Sequence, residues 1–272
     1  MNYMIIKKIF RKIGKEINIF FTALQFFTRI PCPKRIKFSE EYLNKSSRYF
    51  SLIGWIVGGL SAVVLYLCNF VMPTQISILL TMICSILVTG AFHEDGLADF
   101  VDGFGGGYTK ERVLTIMKDS QIGTFGAIAL ILMLSLKYTC LLYIEPIILP
   151  FILIIGHSLS RFASTSLIYI QEYVRENEDS KAKPLAKKMS FGNFIIGGVF
   201  GIVPFLLLRD YYYFFLIIPV IITTWILGHK FKKKIGGYTG DCLGATQQIT
   251  EVIFYLFVVI KPWIYILSVI QA

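Results

Sequence analysis

The sequence predicts an all-α, polytopic integral membrane protein, a bundle of about seven transmembrane helices. Three observations lead to this fold class. First, the chain of 272 residues is 55% hydrophobic and only 16% charged, and its mean hydropathy is +0.65. Soluble proteins carry about 45–50% apolar and about 25% charged residues, so both values indicate a surface covered largely by lipid. The other two observations are the lengths of the apolar segments and the one-sided placement of the basic residues.

Seven apolar segments are long enough to cross a bilayer, which takes about 20 residues of helix. Tight hairpins between them are marked by Pro73, Pro146 and the pair Arg209–Asp210. We place the segments at 50–71, 73–92, 123–144, 147–169, 191–208, 211–228 and 249–270. The fifth and sixth are the shortest, which leaves six to eight spans as the predicted range.

The basic residues lie almost entirely on one side of this layout. Of the 27 lysines and arginines, 23 fall on the side of the N-terminus, Arg209 falls opposite, and Lys137, Arg161 and Lys261 lie within spans. Cytoplasmic loops are enriched in basic residues, so the N-terminus is predicted to be cytoplasmic. The net charge of +10 then reflects topology and contact with anionic lipid, and no nucleic-acid partner is predicted.

Residues 1–18 form a separate element. Apolar side chains, mostly isoleucine, share one side of a helical wheel, and five basic side chains share the other. This pattern predicts an amphipathic helix lying in the membrane interface. A signal peptide with its apolar region at 19–28 is the alternative, although no small-residue cleavage site follows. The predicted organisation is a basic segment at 1–48 and a single transmembrane domain, carrying the site, at 49–272.

Acidic side chains are scarce but cluster after the second predicted span. Six of the 17 lie between Glu94 and Asp119, and Asp95, Asp99 and Asp102 are spaced at i, i+4 and i+7. On a helix these three positions lie within about 40° of one another. Because like charges on one stripe repel, we expect them, with Glu94 beside them, to hold a divalent cation, Mg²⁺ or Mn²⁺. An acidic helix end that only discourages translocation is the simpler alternative.

The segment that follows adds cationic groups. Arg112 and Lys118 could bind a phosphate, and Asp119 could complete a metal site or orient an attacking hydroxyl. Capping of the third span by Asp119 or Ser120 is the alternative.

Two more polar groups are candidates for substrate binding. His157, Ser160 and Arg161 interrupt the fourth span, and an arginine within a span usually marks a functional site, with snorkelling as the alternative. Before the last span, Gly237, Thr239 and Asp241 offer backbone N–H groups, a hydroxyl and a carboxylate suited to a phosphate or a ribose. The alternative there is an ordinary loop with a helix cap.

These groups together predict metal-assisted phosphoryl transfer at the cytoplasmic face. No Walker A lysine motif or kinase signature occurs in the sequence, so an ATP-driven machine is not indicated. An ion-coupled transporter is the alternative, in which the same carboxylates relay an ion. Transporters usually place such charges near the bilayer midplane in repeated halves, and no repeat is visible in this sequence.

Two long motifs resemble the cobalamin synthase family, the adenosylcobinamide-GDP ribazoletransferases. The first is His93-x-Asp95-Gly96-Leu97-Ala98-Asp99-x-x-Asp102-Gly103, and the second is Ile116-Met117-Lys118-Asp119-Ser120-x-Ile122-Gly123-Thr124-Phe125-Gly126. Shorter matches occur in the same order at 22–31, at Arg48-Tyr49-Phe50, at His157-x-x-Ser160-Arg161 and at Gly236-Gly237-x-Thr239-Gly240-Asp241-x-Leu243-Gly244-Ala245. The sequence departs from the family pattern at Glu94, at Phe100-Val101 and at Gln121, where arginine is usual.

The resemblance implies a reaction and its substrates. The protein would join adenosylcobinamide-GDP to α-ribazole or its 5′-phosphate, with Mg²⁺, releasing GMP and giving adenosylcobalamin or its 5′-phosphate. In this hypothesis Asp95, Asp99 and Asp102 hold the metal on the diphosphate. A ribazole hydroxyl, oriented by Asp119, attacks the phosphorus attached to cobinamide. The remaining phosphate charge is offset by Lys118, Arg112 or Arg161, and the Asp241 loop holds the nucleotide or the ribazole. Whether the protein forms a homo-oligomer is left open by the sequence.

Overall fold

The structure, a computed structural model, describes residues 2–36, 39–174 and 189–270. These residues form helices, with one isolated bridge between Tyr173 and Tyr238 and no sheet. The all-α prediction is therefore confirmed. The α-helices are α1 Asn2–Phe27, α2 Glu40–Ser46, α3 Phe50–Cys68, α4 Thr74–Thr89, α5 Phe92–Gly106, α6 Lys110–Ile116, α7 Thr124–Tyr143, α8 Leu149–Ile170, α9 Phe191–Ile202, α10 Tyr212–Phe215, α11 Ile217–Ile235 and α12 Gly240–Ile270. Short 3₁₀ turns cover Ser47–Tyr49 and Val203–Leu208.

The helical segments match the predicted membrane spans. Within the described ranges, six segments are long and apolar enough to cross a membrane, and α4 with α5 makes a seventh if that bent pair is one span. The spans predicted at 123–144 and 147–169 correspond to α7 and α8 within two residues at each end. The last helix, α12, begins nine residues before the predicted 249, at Gly240, because the polar segment before the apolar run is also helical.

The second predicted span, 73–92, breaks where the sequence analysis expected continuous helix. Helix α4 ends at Thr89, and Gly90 and Ala91 both adopt left-handed backbone conformations, with φ of 69° and 58°. Helix α5 then leaves at an angle of 87° to α4. Gly90 adopts this conformation readily because it has no Cβ atom, whereas Ala91 does so at a cost. The acidic stripe therefore lies on a separate helix set crosswise to its predecessor.

Close approach of α3 and α8 forms the centre of the bundle. A methyl group added at Gly54 would lie 2.6 Å from the Cα atom of Ser158, and one at Gly58 would lie 2.7 Å from the Cα atom of Ile154. The spacing Gly-x-x-x-Gly brings two helix backbones together in this way in membrane proteins. Trp55 adds a hydrogen bond from its indole Nε1 to the carbonyl oxygen of Phe200, at 2.6 Å. These contacts hold α3, α8 and α9 as one unit.

Helix α1 is longer than the predicted interfacial helix at 1–18. Phe10, Ile13 and Ile17 are 69%, 50% and 48% exposed, as expected for an apolar face turned to lipid. After Ile19 the helix becomes buried, and Ala23 and the following turn pack against α3. The predicted apolar side chains of Ile5, Ile6 and Ile9, and all five basic residues of the 171–190 loop, lie outside the residues whose side chains the structure describes.

Candidate active site

Helix α5 has one face turned outward and one turned into the bundle. On the outward face Asp95 is exposed and Asp99, one turn later, is partly exposed. On the inward face His93, Glu94 and Leu97 are buried. Asp95 and Asp99 are therefore the two carboxylates of the acidic stripe that are accessible from outside, because Asp102 is buried as well.

Asp102, the third carboxylate of the stripe, caps the next transmembrane helix. Its Oδ2 accepts a hydrogen bond from the backbone N–H of Gly123 at 2.7 Å, and its Oδ1 accepts one from Gly126 at 2.8 Å. These N–H groups belong to the first turn of α7, which leaves them without partners inside the helix. The negative charge is also favoured beside the positive end of the α7 dipole. The cap expected as the alternative role of Asp119 or Ser120 comes instead from Asp102 of α5.

The N-terminus of α12 packs directly on α5. A methyl group added at Gly96 would lie 3.1 Å from the Cα atom and the carbonyl oxygen of Asp241 and 3.3 Å from the Cα atom of Gly244. Gly96 follows Asp95 directly in the sequence, so this contact places Asp241 beside the beginning of the outward face of α5. Two of the sequence-predicted groups, the stripe and the Asp241 loop, therefore come together.

The loop before α12 is fixed by backbone bonds and by a helix cap. The N–H of Tyr238 donates to the carbonyl oxygen of Glu172, and the N–H of Val174 donates to that of Tyr238, both at 3.0 Å. Thr239 is fully buried, and its Oγ1 accepts from the N–H of Cys242 at 3.3 Å, which is the geometry of an N-cap. Burial, together with the nearby Tyr173, raises the pKa of Tyr238, so its phenol stays neutral.

The structure gives Thr239 and Gly237 structural roles. A Cβ atom at Gly237 would collide with the carbonyl oxygen of Glu172, so the glycine is needed for this close approach. Asp241 remains partly exposed, and the hydroxyl of Thr239 lies 3.4 Å from its Oδ2. Of these three predicted substrate-binding residues, Asp241 is the one with an accessible side chain.

The predicted cationic groups lie on and after α6. Arg112, Lys118 and Asp119 are all exposed. Asp119 accepts a hydrogen bond from the N–H of Gln121 at 3.1 Å, which shapes the turn between α6 and α7. Helix α6 is held on α5 by the buried Met117, whose side chain lies against Gly103. These side chains therefore lie on a segment that packs against the C-terminal part of α5.

A buried charge cluster occupies the middle of the bundle. Glu251 of α12 is fully buried, and its Oε1 lies 2.6 Å from the ammonium nitrogen of Lys137 on α7. It also accepts hydrogen bonds from Gln247 at 2.5 Å and from the hydroxyl of Tyr255 at 3.0 Å. The Nδ1 atom of His157 lies 3.4 Å from its Oε2. Ionisable groups at such depth are costly and are retained when they pair with each other.

Hydrogen bonds connect this cluster to α5. The amide nitrogen of Gln248 donates to Oε1 of Glu94 and to the amide oxygen of Gln247, both at 2.9 Å. Gln247 in turn contacts Glu251. The inward face of α5 is therefore joined to the ion pair in the core, while Asp95 and Asp99 occupy the opposite face of the same helix.

His157, Ser160 and Arg161 belong to this cluster. All three are at most 3% exposed. Arg161 donates to the carbonyl oxygen of His157 at 2.9 Å, and the Ser160 hydroxyl accepts from Gln247 at 3.1 Å. The guanidinium of Arg161 also lies 5.5 Å from the ring centre of Phe50. Their predicted contact with substrate stays a prediction, and the structure shows them contacting other residues of the protein.

The sequence analysis gave no role to the partners of this cluster. Lys137 and Glu251 lie on different helices, 114 positions apart in the printed sequence, and the glutamines precede the span that we predicted. The sequence did contain a signal for this pair, because Lys137 and Glu251 are charged residues that each lie inside a predicted span. Pairing them required knowledge of which helices are neighbours.

The metal prediction can be compared with the chemistry of the oxygen donors. No three His, Cys, Asp or Glu side chains converge closely enough to hold a metal ion among the residues that the structure describes. Asp95 and Asp99 stand one helical turn apart on an accessible face, and carboxylate oxygens are the donors that Mg²⁺ prefers. Both oxygens of Asp102 are engaged by α7, and Glu94 faces Gln248. The residues that fit a divalent cation are therefore Asp95 and Asp99, next to Asp241.

Comparison with known proteins identifies the family. The family model described as "Cobalamin-5-phosphate synthase" matches residues 19–259. The chain belongs to this family. The adenosylcobinamide-GDP ribazoletransferase of Shewanella frigidimarina is 46% identical over 247 residues, covering 90% of this chain and 95% of that protein. The protein of the same name from Shewanella oneidensis is 44% identical over 249 residues, with the same coverage. No solved structure matches the chain.

Family membership confirms the resemblance recognised in the two long motifs. The matched range contains all of α3 to α11 and most of α12, and therefore every residue of the candidate site. It supports an enzyme of cobalamin synthesis and gives no support to the transporter alternative.

Proposed function

We propose that this protein joins adenosylcobinamide-GDP to α-ribazole, or to α-ribazole 5′-phosphate, and releases GMP. The observation that carries the proposal is the outward face of α5, where Asp95 and Asp99 stand beside Asp241 at the end of the bundle from which α7 and α12 begin. The names of the relatives supply the two substrates. The reaction makes a phosphorus–oxygen bond to the ribazole hydroxyl and breaks the diphosphate bond to GMP.

Asp95 and Asp99 would hold Mg²⁺, with Mn²⁺ as a substitute. When bound, the ion supplies positive charge that offsets the diphosphate and the leaving GMP. Asp102 and Glu94 act from behind this pair: Asp102 fixes α5 to the start of α7, and Glu94 fixes it to α12. This division explains why four acidic residues occur together although two of them are buried.

The exposed groups around α5 would bind the substrates. Arg112 and Lys118 offer cations to phosphate oxygens, Arg112 with two parallel N–H donors and Lys118 as a point charge. Asp119 is exposed in the same turn and could accept the proton of the attacking hydroxyl. Asp241, at the first turn of α12 and next to Gly96 of α5, would contact the ribose or the nucleotide.

The distribution of basic residues supports a location and an orientation. The segments 93–122 and 229–248, which contain α5, α6 and the loop before α12, lie on the side that carries 23 of the 27 lysines and arginines. This supports a multi-pass protein of the bacterial inner membrane with its N-terminus and its site in the cytoplasm.

Purified protein in liposomes tests the proposed reaction. It is mixed with adenosylcobinamide-GDP and, in separate reactions, with α-ribazole or α-ribazole 5′-phosphate, in the presence of Mg²⁺ or of EDTA, and the products are followed by chromatography. With Mg²⁺ we expect GMP and an equal amount of adenosylcobalamin or its 5′-phosphate, and with EDTA neither product. Folded protein that yields no product with either acceptor would overturn the proposal.

A further inference from the structure

A crevice on the flank of the bundle is separate from α5 and its carboxylates. It has a volume of 480 Å³ and lies between α8, α9 and α11. Along α11 it extends from Ile217 to Lys232, which at 1.5 Å per residue is about 22 Å of helix. Ile221 and Trp225, which line it, are 60% and 71% exposed, so the crevice faces the medium around the bundle.

The walls of the crevice are apolar along most of its length. Its polar hydroxyls are already used within their own helices: Ser166 donates to the carbonyl oxygen of Ala163 and Thr224 to that of Val220, each at 2.7 Å. Neither hydroxyl therefore needs a polar partner in the crevice. An occupant of this part must therefore be apolar, as an acyl chain is.

One end of the crevice has a different chemistry. His229 and Lys232 line it there, and the rings of Trp225 and His229 are stacked at 6.1 Å. Gln171 lines the same end; its amide nitrogen donates to the carbonyl oxygen of Gly228 at 2.7 Å, while its Oε1 is buried without a hydrogen-bond partner in the described residues. This end offers the Lys232 ammonium group, the His229 imidazole and one acceptor that requires a donor.

We propose that this crevice binds an anionic phospholipid whose headgroup carries hydroxyl groups. The phosphate would lie against Lys232 and His229, a headgroup hydroxyl would donate to Oε1 of Gln171, and an acyl chain would lie along α11. Basic pockets between transmembrane helices bind anionic lipid headgroups in this manner.

Native mass spectrometry of the full-length protein in detergent tests this site. The probes are phosphatidylglycerol, phosphatidylcholine with the same acyl chains, and soluble glycerol phosphate. We expect one phosphatidylglycerol molecule to be retained, little phosphatidylcholine, and no glycerol phosphate, because the acyl chain is needed for binding.

Two variants and one matched control locate the site. Lys232→Gln should weaken phosphatidylglycerol binding about five-fold, which corresponds to about 1 kcal/mol for one lysine at a membrane surface. Lys233→Gln is the matched control: it removes a positive charge at the next residue, which does not line the crevice, and it should leave phosphatidylglycerol binding unchanged. Ser166→Phe, which keeps Lys232 and His229, should fill the crevice and reduce lipid retention.

Three results would overturn the proposal. Equal retention of the two lipids would show that the headgroup is not recognised. Equal losses in Lys232→Gln and Lys233→Gln would indicate attraction to a diffuse positive surface. Displacement of the lipid by α-ribazole would assign the crevice to a substrate.

Discussion

The buried pair Lys137–Glu251 offers the sharpest test of the fold. Lys137→Met should destabilise the protein by about 3–5 kcal/mol, because removing one partner leaves the other charge buried without compensation. The two side chains are 4% and 0% exposed and their charged atoms lie 2.6 Å apart. Glu251 keeps its hydrogen bonds from Gln247 and Tyr255, so we expect a value near the lower end of that range.

The double variant Lys137→Met with Glu251→Gln makes this prediction specific. Because it removes both charges, it should cost less than either single change, whereas independent effects would add. Stability is measured as the midpoint and free energy of SDS-driven unfolding in mixed micelles, followed by circular dichroism. Lys233→Met, at an exposed site on α11, serves as the control and should lie within about 0.5 kcal/mol of the parent. A cost below about 1 kcal/mol for Lys137→Met, or strictly additive costs, would refute the reasoning.

Three further predictions use the same unfolding measurement. Asp102→Ala should cost about 1–2 kcal/mol because the first turn of α7 loses its cap, and an unchanged midpoint would show that α7 does not depend on it. Gly96→Val should cost about 1–3 kcal/mol by forcing α5 away from Asp241. The control is Gly59→Ala, where an added methyl group meets nothing within 4 Å, and it should be neutral or slightly stabilising. Equal effects of the two substitutions would exclude the close approach of α5 and α12. Ala91→Gly should stabilise the protein by up to about 1 kcal/mol by relieving a φ of 58°, and a loss of stability would contradict that conformation.

Hydropathy was sufficient to predict most of the span positions because it is a local property of the sequence. Helices α7 and α8 follow directly from apolar runs of the required length. The break at Gly90 and Ala91 was not predicted, because alanine has a high helix propensity and nothing in the local sequence indicates a left-handed conformation at Ala91. The crosswise direction of α5 follows from that break.

The candidate site was predicted in part. The motifs gave the accessible pair Asp95 and Asp99, and the structure adds that Asp241 lies beside them. Sequence spacing could not show that Asp102 turns to α7, because a cap from another helix depends on tertiary packing. The contacts of Lys137 and Gln247 with Glu251 were missed for the same reason.

The role of the outward face of α5 is tested most directly by Asp99→Asn in the liposome assay with both substrates and a Mg²⁺ titration. We predict that the rate of adenosylcobalamin formation falls at least about 100-fold and that more Mg²⁺ is needed, since the interaction contributes several kcal/mol to transition-state stabilisation. Glu145→Gln, an exposed acidic residue in the hairpin between α7 and α8 at the other end of the bundle, should keep full activity. A folded Asp99→Asn protein with the parent's rate and Mg²⁺ dependence would contradict the assignment of the site.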